Sequence, residues 1–165
     1  MSDAIGRAFL EYSDKKLVES TKKLTECLGR LSEEQVWARG AEHENAIGNL
    51  LLHLSGNMRQ WIMHGVGGQL DVRTRDAEFA AAGGLGKAEL MALWTSTLDE
   101  ARGIIRSVPM ERLTEIIRPQ RGYEVTMLGA IYQVVEHVSG HVGQIILLTK
   151  QMVRKDLDLT IPRAR

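Results

Sequence analysis

Residues 131–148, IYQVVEHVSGHVGQIILL, read as one helix, apolar at a helical period, and the rest of the chain is organised around it. His137 and His141 fall one turn apart on the same face. Helical neighbours at i and i+4 stack on one another, so two imidazoles at that spacing form a natural two-point grip on a metal ion. Two ligands do not close a site. The remaining sequence must supply a third.

Outward from this stretch, Thr126 is placed to cap the helix, which runs to about Val153 and ends in Lys150, Arg154 and Lys155, favourable charges at a carboxyl end. The tail to Arg165 reads as extended. Upstream, LTEIIRPQRGYEVTM carries short β-like runs on either side of a turn signal, Pro119 to Gly122, which fits a small hairpin or an extended arm. A helix from about Lys87 to Ser107 has Leu90, Leu93, Trp94, Leu98, Ala101 and Ile105 as its stripe, and Val108 and Pro109 end it. Another opens near Asn45, a good N-cap, and continues to about His64, with Leu50, His53, Leu54, Asn57, Trp61 and His64 inward. Between these two lies the Gly-rich, charged stretch 66–86. Connections of that length are often lids or binding loops, the alternative being a mobile excursion with one helical turn around Asp76 to Ala82. The first long helix spans about Ile5 to Leu28, with Leu10, Leu17, Leu24 and Leu28 along one side and Gly29 to end it. Ser32 can cap a short helix whose first turn carries Glu33 and Glu34, with Trp37 as a packing anchor and Gly40 closing it.

Four long helices with one apolar stripe each, and prolines only at 109, 119 and 162, predict an all-α four-helix bundle. Its first and third connections are long enough to cross the bundle. A chain of 165 residues is expected to form a single domain, 1–165, with a real core. Lys+Arg and Asp+Glu balance at 21 each, which removes any general electrostatic case for nucleic acid or an anionic membrane. The amino terminus lacks the basic-then-apolar pattern of a signal peptide and no apolar run spans a bilayer, so a cytoplasmic location is expected. The one cysteine, Cys27, sits beside Leu24 and Leu28 and reads as a small buried hydrophobe rather than a nucleophile.

His53 interrupts the apolar run NLLLHLSG, where a histidine needs a polar partner or a metal to justify burial. If its helix faces the last one, it meets His137 and His141, and three neutral imidazoles leave an open coordination position. The alternative is three core histidines, each satisfied by a carbonyl or side chain, a large polar load for one small core. His64 lies three turns beyond His53, about 16 Å along the axis, too far to join the same ion. His43, ahead of that helix, reads as a solvated loop residue. The motif H-V-S-G-H lacks the glutamate base of H-E-x-x-H, and Glu136 points about 100° away from His137. Gln144, one turn past His141, can orient a metal-bound water or make an ordinary interhelix hydrogen bond. Gly140 and Gly143 cost helix propensity, which a close helix–helix or ligand approach would explain.

LLLHLSGNMRQWI followed far downstream by EHVSGHVGQIILL resembles the DinB/YfiT-like superfamily of metal-binding four-helix bundles. The resemblance covers nearly the whole chain. It implies that His53, His137 and His141 bind a divalent cation, commonly zinc or nickel, and that the protein forms a homodimer. It also implies a small-molecule substrate class, transfer or isomerisation with low-molecular-weight thiols such as bacillithiol, mycothiol or glutathione. Because those thiols carry carboxylates, Arg73, Arg75, Arg118 and Arg121, in the two candidate loops, are the candidate cofactor-binding residues, the alternative for each being a solvated surface arginine. A metal-dependent hydrolase and a non-enzymatic metal-stapled protein are the other readings.

Overall fold

The computed structural model describes residues 2–159; residues 160–165, the last part of the tail expected to be extended, lie outside them. Helix α1 spans Ser2–Gly29, α2 Glu33–Trp37, α3 Ile47–Met58, α4 Arg75–Ala80, α5 Lys87–Ser107 and α6 Met127–Val153. Beyond Met58, α3 continues without a break as a π-helical segment, Arg59–Val66. A 3₁₀ turn at Met110–Thr114 follows α5, and strands β1, Ile116–Ile117, and β2, Val125–Thr126, form a two-stranded antiparallel hairpin. The chain is predominantly helical, as its periodicity requires.

Helix α1 packs on α5 and α6, and α3 packs on the same two helices from the other side. The chain therefore passes from α1 across to α3, from α3 to its neighbour α5, and from α5 across to α6. Both longer crossings occur where the sequence has room for them. Leu10, Leu17, Leu24 and Leu28 of α1 are all buried, together with Leu90, Trp94, Leu98, Ala101 and Ile105 of α5. Each large side chain so removed from water contributes about 1.5–3 kcal/mol before the entropy of ordering is charged. Trp94 is fully buried and its Nε1 donates to Thr21 Oγ1 at 2.9 Å, so the indole carries no unmet polar group into the core. Cys27 is buried too, and burial pushes its thiol pKa up. Among the described residues no helix is long and apolar enough to cross a membrane.

Capping follows the sequence at two helices and departs from it at a third. Ser32 accepts from Gln35 N at 3.1 Å, and Gln35 Oε1 accepts from Ser32 N at 2.9 Å, a reciprocal capping box. Thr126 Oγ1 accepts from Gly129 N at 3.0 Å. Asn45, however, does not cap α3: the helix begins two residues later with Ala46 at its cap, and Asn49 Oδ1 accepts from Ala46 N at 3.0 Å. Asn49 thus satisfies the backbone N–H of the cap residue, and no side chain caps the first turn from Ala46. His64 also departs from its expected place, because the π-helical turn is wider than the α-helical turn from which its face was read. It is half-buried at the end of the segment, with Nδ1 donating to the Gln69 carbonyl at 2.6 Å.

The stretch 66–86 is an ordered cover on α3. Asn49 Nδ2 donates to the carbonyls of Glu78 at 2.9 Å and Ala81 at 2.7 Å. Arg39 Nη2 donates to Asn49 Oδ1 and to the carbonyls of Phe79 and Ala81. Trp37 Nε1 donates to the Leu85 carbonyl at 2.8 Å, and its indole lies over Gly48, where any Cβ would strike the ring. These bonds place α4 against the middle of α3. That placement brings Glu78 to His53.

Candidate metal centre

The apolar face of α3 turns His53 inward, 6% exposed, toward α6, which presents His137 and His141 from consecutive turns. One nitrogen from each ring lies within 4.8 Å of the other two. His53 Nε2 and His137 Nε2 are 2.9 Å apart. Neighbouring ring centroids lie 5.0, 5.1 and 4.5 Å apart, with planes at 71°, 80° and 86°. Nitrogens on three tetrahedral corners, each about 2.0–2.1 Å from an ion, stand about 3.4 Å from one another, so the observed spacing is that of a site an ion could occupy after small ring rotations.

Oxygen acceptors on the outer side of two rings are placed to favour the tautomers such a site requires. His53 Nδ1 lies 3.0 Å from Glu78 Oε2 and 3.1 Å from Arg73 Nη2; in the tautomer that donates to Glu78, Nε2 keeps its lone pair toward the other histidines. His141 Nδ1 donates to Gln144 Oε1 at 2.8 Å, which frees its Nε2 in the same way. Gln144 thus bonds within its own helix rather than across to another. A carboxylate or amide behind a ligating histidine fixes the ring and raises its basicity. These residues fit a divalent cation.

Glu78, which nothing in the local pattern singled out, is buried, and Arg73 spans both of its oxygens: Nε to Oε1 and Nη2 to Oε2, each at 2.8 Å. Arg73 Nη1 also donates to Gln60 Oε1 at 2.9 Å. Burial works to raise the Glu78 carboxyl, but the hydrogen bonds from Arg73 and His53 outweigh it and hold the group below the ordinary glutamate range. The approach depends on Gly56. A Cβ there would collide with Glu78 Oε1, and that carboxylate, pinned by two partners, has no free direction to yield. Gly56→Ala is expected to cost about 1–3 kcal/mol of stability, read as a lower urea midpoint, and to weaken metal binding with it.

Burial first, then the other two histidines and Arg73, push His137 down to about 4. Burial also lowers His141, against the Gln144 hydrogen bond that raises it. Both rings are therefore neutral at neutral pH, the form a metal needs. The linkage has a definite sign. In chelator-treated protein the unfolded chain takes up protons below about pH 6.5 that folded His137 refuses until about pH 4. Stability is expected to be full above pH 6.5 and to fall as the pH drops toward 4, measured as urea midpoint against pH. His137→Gln should flatten that fall.

The four arginines are dispersed. Arg73 is buried behind His53, committed to Glu78. Arg75 lies over the Phe79 ring at 4.9 Å, and that ring in turn packs 4.7 Å from His53. Arg118 pairs with Glu124 at 2.7 Å on the hairpin, and Arg121 is exposed at its turn. Glu136 and His43 are exposed. Gly140 and Gly143 have no atom of the described residues near the position of an added Cβ, so the close approach expected there is not to another helix of this chain.

Comparison with known proteins bears on the family and the fold. The model of a family described as protein of unknown function, DUF1572, matches residues 4–165. A conserved protein of Enterococcus faecalis superposes with a TM-score of 0.74 at 13% identity, covering 88% of this chain and 97% of its own. A DinB-like protein of Bacillus subtilis, YjoA, superposes with a TM-score of 0.65 at 16% identity, covering 86% and 91%. No curated protein matches the chain. With a family match over nearly its whole length, the chain belongs to the DUF1572 family, and it shares its fold with a DinB-like protein.

Proposed function

We propose that this chain is a metal-dependent enzyme of low-molecular-weight thiols, an S-transferase or a close relative of one, with His53, His137 and His141 holding a zinc or nickel ion. The observation that carries the reading is the convergence of three histidines, two of them oriented from behind by Glu78 and Gln144. His137 and His141 are only half-buried, so one side of the triad remains approachable from solvent. Bound there, the ion would lower the pKa of a thiol entering its open position and so supply a nucleophile at neutral pH.

The chain's own residues would do the rest. Glu78, anchored by Arg73, holds the His53 ring in one orientation. Phe79 covers one flank of that ring and displaces water from it. Arg75, exposed on the far side of Phe79, is placed to pair with a carboxylate of the thiol. Arg118 and Arg121 would serve only a longer molecule that reaches the hairpin. The open face of α6 around Gly140 and Gly143 suits the homodimer that belongs to this proposal, and sedimentation would test it.

Turnover of a chlorinated or epoxide electrophile, assayed with metal-loaded protein and a panel of thiols, tests the activity. Acceleration with one thiol, abolished by chelation, is the expected result. If no thiol is accelerated, and none alters the visible spectrum of the cobalt-substituted protein, the transferase reading is discarded. A staple role has its own support, since the Arg73–Glu78–His53 chain ties 66–86 to the core. It predicts that chelation lowers the melting temperature with no activity to lose, whereas hydrolysis without any thiol would select the hydrolase.

A further inference from the structure

A cavity of about 220 Å3 lies between α3 and the segment 69–74, with the Glu78–Arg73 pair in its wall. The pair lines it, yet none of the three histidines does. One wall is the α3 face carrying Leu52, Ser55 and Arg59, spaced so that they share a side of the helix. Met63 and Leu93 extend the apolar part of the wall. The sequence placed Leu93 in the core stripe of α5, but it is half-buried and faces this space instead.

Three features of the cavity have no role in the metal centre. Ser55 is 2% exposed and its Oγ has no hydrogen-bond partner among the described residues. A buried hydroxyl left so is costly, and a change of the Ser55 rotamer would bring it to a polar group placed in the cavity. Arg59 is half-buried, and among the described residues its guanidinium has neither an ion pair nor a hydrogen bond. The other charges in the wall are engaged: Glu78 with Arg73 and His53, and Asp71 with Gln60 Nε2 at 2.8 Å and the Arg73 backbone N at 3.0 Å. At the rim, Leu70 and Val72 stand 85% and 71% exposed, two large apolar side chains with nothing over them.

We propose that this cavity binds a small carboxylic acid with a branched or linear apolar body, its carboxylate on Arg59 and Ser55 and its apolar end against Leu52, Met63 and Leu93, closed over by Leu70 and Val72. Apolar walls with a few convergent polar groups are the general form of a small-molecule site, and the volume suits a metabolite rather than a macromolecule. The site stands on its own residues and does not depend on the metal or on the thiol chemistry.

Calorimetric titration of the purified protein with 4-methylpentanoate, 4-methylpentanamide and leucine tests it. Saturable binding of 4-methylpentanoate in the millimolar range or tighter, with the amide at least about tenfold weaker, is expected from the loss of a charge-assisted bond. Arg59→Met should weaken the acid about tenfold or more, Arg59→Lys should restore part of it, and Ser55→Ala should weaken it several-fold. Leucine binding more tightly than 4-methylpentanoate would support the same site, with Asp71 taking the ammonium group. Equal binding of acid and amide, wild-type affinity in Arg59→Met, or no saturation by any of the three would overturn the proposal. Metal content measured on the same samples keeps the two sites distinct, because Arg59→Met should leave it unchanged.

Discussion

His137→Ala is expected to abolish stoichiometric divalent metal in protein purified without an affinity tag or chelator. The ring is half-buried on α6, and its one hydrogen-bond contact among the described residues is His53 Nε2, so truncation removes a candidate ligand without stranding a buried charge. Three-histidine binding shared over a total of about 10–16 kcal/mol assigns about 3–5 kcal/mol to each ring, a loss on the order of a thousand-fold in affinity. Elemental analysis and competition with a chromophoric chelator read the effect, and circular dichroism shows that the helices persist. Metal content equal to wild type in the folded variant would end the metal-centre proposal and leave the fold assignment untouched. Three hydrogen-bonded core histidines would then be the correct description of the site.

Glu78→Gln carries the second large effect. The substituted amide keeps the shape of the carboxylate and can still accept from His53 Nδ1, but it no longer opposes Arg73 with a charge. His53 loses the anionic partner behind its ring, and metal affinity is expected to fall about 10–100-fold. A merely structural role for Glu78 predicts a lower melting temperature with the metal dissociation constant unchanged. The spectrum of cobalt-loaded protein separates the two, because it reports ligand-field geometry and not fold stability. Since Arg73 would be left as an unpaired buried cation, the double variant Glu78→Gln, Arg73→Met should recover stability relative to Glu78→Gln while metal affinity stays low.

The two variants bear on different parts of the same centre, and those parts were not equally legible. His137 and His141 announce themselves at i and i+4, within one helix whose period is plain. His53 is marked by its position in an apolar run, where an imidazole is out of place without a partner. Glu78 has no such mark, for RTRDAEFAAAG reads as a solvated, charged stretch and any of its acids could have been the exposed one. The only hint is the five-residue interval between Arg73 and Glu78, too common to carry weight. Gln144 reads from sequence as a group to orient a metal-bound water or to bond across a helix interface, whereas its oxygen accepts from His141 Nδ1 within its own helix.

Residue order alone determined the long helices, their inward stripes at Leu10, Leu17, Leu24 and Leu28 and at Leu90, Trp94, Leu98, Ala101 and Ile105, the caps at Ser32 and Thr126, and the turn before the last helix. These follow from interactions within a few residues of each other, and hydrophobic period and turn chemistry report such interactions directly. The tertiary structure decided which groups from distant segments meet. Asn49 became the clasp of the 66–86 segment instead of Asn45 a cap, Gly56 became the opening through which Glu78 reaches His53, and a π-helical turn redirected His64 away from the core. A carboxylate brought to an imidazole from 25 residues away is selected by burial, by complementary charge and by the space a missing Cβ leaves, and those are properties of the packed chain.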